Sequence, residues 1–119
     1  MNKNVRASAK RVLAIGTANA ASSPEDALSP DGLLILMERD PERAERARQR
    51  FSSSGLAQRA TVILGDPRRM LHKLAGPFDL IFCDDADSDL LDKLATLLAP
   101  DGTLITKSRE RRGAEGPRK

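Results

Sequence analysis

The sequence predicts a single α/β domain built on a doubly wound parallel sheet of about five strands, in the order 3-2-1-4-5 with helices on both faces. Three observations predict it. Short, almost wholly apolar runs recur along the chain, as expected of strands covered on both faces. Amphipathic stretches with helix-start and helix-stop signals separate them, which is the βαβ alternation. The chain is 119 residues long, close to the commonest size of one domain, and that leaves room for one modest core.

Each element has its own signal. Arg11-Val12-Leu13-Ala14-Ile15 is a buried-strand pattern ending at Gly16, and Gly32 introduces a second, Leu33-Leu34-Ile35-Leu36-Met37. Asp40-Pro41 opens a helix, with Asp as N-cap and Pro in the first helical position. Ala44, Ala47 and Phe51 give that helix one thin apolar stripe, and Ser52-Ser53-Ser54-Gly55 ends it, with Gly55 as the left-handed cap. Thr61-Val62-Ile63-Leu64 reads as a strand, and residues 67–74 as a short helix opened by Asp66-Pro67. Phe78 to Cys83 is the next strand. Leu90, Leu91, Leu94, Leu97 and Leu98 mark the apolar face of a helix that ends before Pro100-Asp101-Gly102, and Thr103-Leu104-Ile105-Thr106 is the last strand. Right-handed crossovers between these strands leave the doubly wound, Rossmann-like sheet as the economical solution.

Composition narrows the function classes. The apolar fraction is 39%, with no Trp or Tyr and three Phe, so the core must come from Leu, Ile, Val and Ala. No run approaches the ~20 apolar residues of a membrane span, and no secretory signal follows the basic start. A lone cysteine, Cys83, excludes an internal disulfide and fits a cytoplasmic setting. The net charge of +3 is uneven: residues 1–11 carry four basic and no acidic side chains, and residues 107–119 six basic and two acidic. The body between them is net −5. We therefore expect residues 1–106 to be the domain, with 1–10 as a basic lead-in and 107–119 as a basic tail disordered by composition. Nucleic-acid binding would need aromatic stacking or a folded basic face, and the pattern offers neither.

In a doubly wound sheet, ligands sit beyond the carboxyl ends of the strands where the winding reverses. The first such turn reads Ile15-Gly16-Thr17-Ala18-Asn19-Ala20-Ala21-Ser22. Followed by Met37-Glu38-Arg39-Asp40-Pro41-Glu42-Arg43-Ala44, Leu64-Gly65-Asp66 and Gly76-Pro77-Phe78-Asp79-Leu80-Ile81-Phe82-Cys83-Asp84, it resembles the S-adenosylmethionine-dependent O-methyltransferases, especially the catechol and caffeoyl-CoA type. The resemblance runs over about residues 11–106.

The resemblance implies a role for each matched residue. Gly16, Thr17, Ala18, Asn19 and Ser22 would form the turn that approaches the methionine part of S-adenosylmethionine, with Ala18 and Ala20 standing where the family usually has Gly. Ala14 replaces the family's usual acidic residue. Glu38, followed by Arg39, would accept both ribose hydroxyls, for which a two-acceptor carboxylate is suited. Asp66 would face the adenine amino group, while Pro67 has no N–H to offer the ring. Asp84 is the candidate catalytic base. The family's metal ligands would be Asp84 and an Asp-Asn pair that here falls at Lys107 and Ser108, and an ammonium cannot coordinate a cation, so no metal is expected. As local structure, Asp66-Pro67 reads equally well as a helix start, and Asp87 or Ser88 as a cap among the acidic residues Asp84, Asp85, Asp87, Asp89 and Asp92. His72 reads as a surface residue and Cys83 as a small core residue.

The family's helices before the first strand and its two strands after the fifth have no counterpart in this sequence. The chain opens on Met and reads as a short form whose fifth strand exposes an edge, which invites a second copy or a partner protein. Two functions follow: a methyltransferase acting on an acceptor that the sequence does not identify, or a catalytically inactive relative serving as an interaction module.

Overall fold

A computed structural model of the chain describes residues 9–16, 24–83 and 87–106. Its strands are β1 (Ala9–Ile15), β2 (Leu28–Glu38), β3 (Ala60–Leu64), β4 (Phe78–Cys83) and β5 (Leu98–Thr106). Its helices are α1 (Pro41–Ser53), α2 (Pro67–Met70) and α3 (Ser88–Ala95), with 3-10 turns at Pro24–Ala27 and Leu71–Lys73. Every strand pair is parallel, and the order is β3-β2-β1-β4-β5. The winding reverses between β1 and β4, as the alternation predicts.

The two sides of the sheet explain the apolar runs. Along β1, Leu13 and Ile15 point to one face and Val12 and Ala14 to the other, and all four are buried. The first face gathers Leu13, Ile15, Met37, Ile81 and Cys83 against Leu71, Leu90 and Leu94. The second gathers Val12, Ala14, Leu34 and Leu36 against Ala47 and Phe51 of α1. Val12 to Ile15 are apolar at every position because both faces of β1 are covered there. Cys83 takes the core position expected of it.

The helix ends follow the sequence signals. Asp40, in extended conformation, caps α1 by accepting from the Arg43 backbone N–H at 3.2 Å, and Pro41 is the first helical residue. At the other end Gly55 takes φ +77°. The predicted helix 67–74 is a single α turn that continues as the 3-10 turn Leu71–Lys73, on which His72 is exposed.

The expected lead-in 1–10 is too long, because Ala9 and Lys10 already belong to β1, and β3 likewise starts at Ala60. Two further strands start well before their apolar runs. β2 starts at Leu28 rather than Leu33, and β5 at Leu98 rather than Thr103. Each begins with a Pro-Asp-Gly bulge at which the register shifts: Ala9 pairs with Leu28 but Arg11 with Leu33, and Phe78 with Leu98 but Leu80 with Thr103. The glycines are required by close approach. A Cβ on Gly32 would lie 2.7 Å from the Ala9 carbonyl oxygen, and one on Gly102 2.8 Å from that of Phe78. Leu98 therefore belongs to the sheet and not to the α3 face. The helix stops at Ala95, and the Leu97 carbonyl accepts the Phe78 N–H at 2.7 Å.

At the amino ends of the strands, the Asp79 carboxylate accepts the N–H groups of Lys10 and Arg11 at 2.8 and 3.1 Å. The Arg11 guanidinium donates to the carbonyls of Ala75 and Pro77. These bonds lock β1 against β4 at the end remote from the switch point. β5 is the last strand on its side, with no strand beyond it among the described residues. No helix among the described residues is long and apolar enough to cross a membrane.

Candidate functional site

The carboxyl ends of β1, β2 and β3 form one ledge, and backbone bonds fix their relative heights. Ile15 is level with Met37, and Glu38 with Leu64. One residue further on, the Gly16 N–H donates to the Met37 carbonyl at 2.8 Å, and the Gly65 N–H to the Glu38 carbonyl at 2.9 Å. Gly16 takes φ +81°, a left-handed conformation that costs other L-residues roughly 1–2 kcal/mol. The chain can therefore leave β1 sharply beside Glu38. Gly16 and Glu38 are thus neighbours on parallel strands, as the cofactor reading requires.

Glu38 is the distinctive side chain of this ledge. It is 3% exposed, and its Oε2 accepts the Asp40 backbone N–H at 2.9 Å. This bond fixes the orientation of the carboxylate. A carboxylate at a strand end by the switch point is chemically suited to accept from hydroxyl donors. Arg39, beside it, is largely exposed and approaches the Asp66 carboxylate at 4.0 Å.

Asp66 lies at the same end of the sheet and caps α2, its Oδ1 accepting the Arg68 N–H at 3.0 Å. Pro67 is buried at the first helical position. The helix-start reading of Asp66-Pro67 is therefore correct, and it leaves Asp66 at the rim of the ledge. Thr17, Ala18, Asn19, Ser22 and Asp84 lie outside the described residues, as do Ala20, Lys107 and Ser108. Cys83, the residue before Asp84, is level with Ile15. Among the described residues no group of three or more His, Cys, Asp or Glu side chains could hold a metal ion.

One interaction at this end of the sheet was not foreseen. Asp87 caps α3 by accepting the Leu90 N–H at 2.9 Å, and its second oxygen accepts from the Arg68 guanidinium at 2.8 Å. The Leu90 N–H and then the guanidinium hold the Asp87 carboxyl below the ordinary carboxylate range. A carboxyl lowered on folding stabilises the protein above its unfolded pKa of about 3.9. That contribution is lost as pH falls through the lower folded value. The difference in thermal midpoint between the native chain and Asp87→Asn should thus stay level from neutral pH to about pH 4, then shrink. Thermal melts of both proteins across pH 2–7 check this.

A cleft of about 160 Å³ opens at the opposite end of the strands, lined by Arg11, Leu33, Arg59 and Phe78 among others. It is smaller than the roughly 300–1,000 Å³ of a typical ligand pocket, and its two guanidinium groups donate to backbone carbonyls. The ledge is the better site because it lies at the switch point and carries the buried carboxylate.

Known proteins resemble this arrangement. The O-methyltransferase family model matches residues 5–111. A catechol O-methyltransferase of Mycobacterium tuberculosis is 40% identical over 79 residues, which are 64% of this chain and 36% of that protein. A protein-L-isoaspartate O-methyltransferase of Hyperthermus butylicus is 38% identical over 74 residues, 62% of this chain and 30% of that one. The solved structure of the O-methyltransferase TomG from Streptomyces achromogenes, in complex with SAM, superposes with a TM-score of 0.70 at 26% identity. That match covers 84% of this chain and 49% of TomG. The chain spans about a third of the length of these two curated relatives.

Proposed function

Because the chain belongs to the O-methyltransferase family, we propose that it forms the part of an S-adenosylmethionine-dependent methyltransferase that holds the methyl donor, with an oxygen as acceptor. The observation that carries this reading is the buried Glu38 carboxylate, oriented by the Asp40 N–H and set beside the left-handed Gly16 at the switch point. When bound, S-adenosylmethionine supplies an electrophilic methyl group on its sulfonium. The chain's own part is to bind and orient. Glu38 accepts from the ribose hydroxyls, Asp66 accepts from the adenine amino group, and the backbone at Gly16 permits close approach of the methionine portion. Thr17, Ala18, Asn19, Ser22 and Arg39 complete the proposed contact set, and Asp84 is the proposed base for an acceptor that must lose a proton. Holding donor and acceptor in line supplies most of what methyl transfer requires.

The two curated relatives are named for different acceptors, a catechol and a protein isoaspartate, so the reading commits to an oxygen nucleophile and to no particular acceptor. The single cysteine supports a cytoplasmic location.

Calorimetric titration with S-adenosylmethionine and S-adenosylhomocysteine tests the proposal. Binding with a dissociation constant near micromolar is the expected result, an affinity of about 8 kcal/mol. Absence of heat at millimolar ligand would replace it with the reading of a catalytically inactive interaction module.

A further inference from the structure

β3 and β4 are not neighbours, because β2 and β1 stand between them. Three steps of ~4.8 Å put the ends of β3 and β4 ~14 Å apart. The helices that follow these strands nonetheless meet. Arg68, in the first turn of α2, donates to Asp87, the N-cap of α3, at 2.8 Å. Both helices cover the same face, with Leu71 just after α2 and Leu90 and Leu94 on α3 sharing one core cluster. The pair therefore lies on the α2 and α3 side of the sheet, at the same carboxyl end of the strands where Glu38 and Gly16 sit. It also completes a rim of alternating sign, Arg39, Asp66, Arg68 and Asp87. In that rim Arg39 approaches Asp66 at 4.0 Å and the Asp66 carboxylate caps the Arg68 N–H.

We propose that Arg68 and Asp87 are positioning residues whose ion pair closes one wall of the ledge and sets the spacing of α2 and α3 for an adenosine-bearing ligand. The inference rests on the function proposed above. An exposed pair of this kind adds little to folding, so its consequence is geometric. It joins the starts of two helices that follow non-adjacent strands.

Four variants separate this role from plain stability. Asn caps a helix as well as Asp does, so Asp87→Asn removes the charge while keeping an acceptor for the Leu90 N–H. Arg68→Gln removes the cation, Arg68→Lys keeps it, and the Arg68→Gln/Asp87→Asn double variant lacks both charges. Each is titrated calorimetrically with S-adenosylhomocysteine beside the native chain, and each is melted thermally. The expected result is about a tenfold loss of affinity in either charge-removing single variant, no further loss in the double, and most of the affinity kept in Arg68→Lys, with melting midpoints lowered only by the small contribution of an exposed pair. Native affinity in all variants would overturn the inference and leave the proposed function standing. Losses that multiply in the double variant would overturn it too, since the residues would then act separately. If the native chain binds no S-adenosylhomocysteine, the proposed function falls and takes this inference with it.

Discussion

Replacing Glu38 by glutamine is expected to weaken binding of S-adenosylhomocysteine by about two orders of magnitude while leaving the melting midpoint close to native. Its carboxylate is buried, and one oxygen already accepts the Asp40 N–H at 2.9 Å. A glutamine amide oxygen can take over that bond, so the start of α1 keeps its acceptor. What the amide lacks is the charge and the second acceptor oxygen. Hydrogen bonds to a charged group contribute about 1.5–3 kcal/mol each, and about 2.7 kcal/mol corresponds to a hundredfold change in dissociation constant. Glu38→Ala should lose as much affinity and also destabilise the fold by about 1–3 kcal/mol, because it strands the Asp40 N–H. Calorimetry and thermal melts on both variants check this pair of results. Native affinity in Glu38→Gln would remove the ribose contact from this residue and with it the main support for the site.

Local chemistry made much of the fold legible. Asp40-Pro41 and Gly55 bracket α1 because capping depends on residues within one turn. The apolar runs at Leu33–Met37 and Phe78–Cys83 locate the central strands because both faces there must be covered. The Pro-Asp-Gly segments before Leu33 and Thr103 were not legible as strand, since Pro-Asp-Gly is ordinarily turn chemistry. They become bulges only because the carbonyls of Ala9 and Phe78 lie close to Gly32 and Gly102, a fact fixed by neighbouring strands and not by local sequence. Leu98 was misplaced for a related reason. The spacing Leu90, Leu91, Leu94, Leu97, Leu98 keeps helical phase across the helix end, whereas the pairing of Leu98 with Phe78 decides its place. At the site, the turn at Gly16 could be anticipated from the rule for strand ends in a doubly wound sheet, and Glu38 was marked by the resemblance to the O-methyltransferases. The Arg68–Asp87 pair could not, because it joins loops from non-adjacent strands and depends on how two short helices pack over one face.

Phe51→Ala should be the most destabilising of these substitutions, costing about 3–5 kcal/mol. The inward residues of α1 are Ala44, Ala47 and Phe51, and the two alanines bury little side chain. Phe51 is 2% exposed and supplies most of the apolar area by which α1 holds the second face of the sheet. Domains have total stabilities of about 5–15 kcal/mol, so the loss consumes a large share and should appear as a marked fall in the urea midpoint. The consequence reaches the ledge, because Asp40, the N-cap of α1, supplies the N–H that orients the Glu38 carboxylate. The two variants part on adding ligand. Phe51→Ala keeps the chemical groups of the site, so ligand at a hundred times its dissociation constant should return about 2.7 kcal/mol of stability by mass action. Glu38→Gln at the same ligand concentration, now near its own dissociation constant, should gain only about 0.4 kcal/mol. Equal rescue of both would mean that Glu38 has no special part in binding, and failure to rescue Phe51→Ala would mean that α1 does more for the site than carry Asp40.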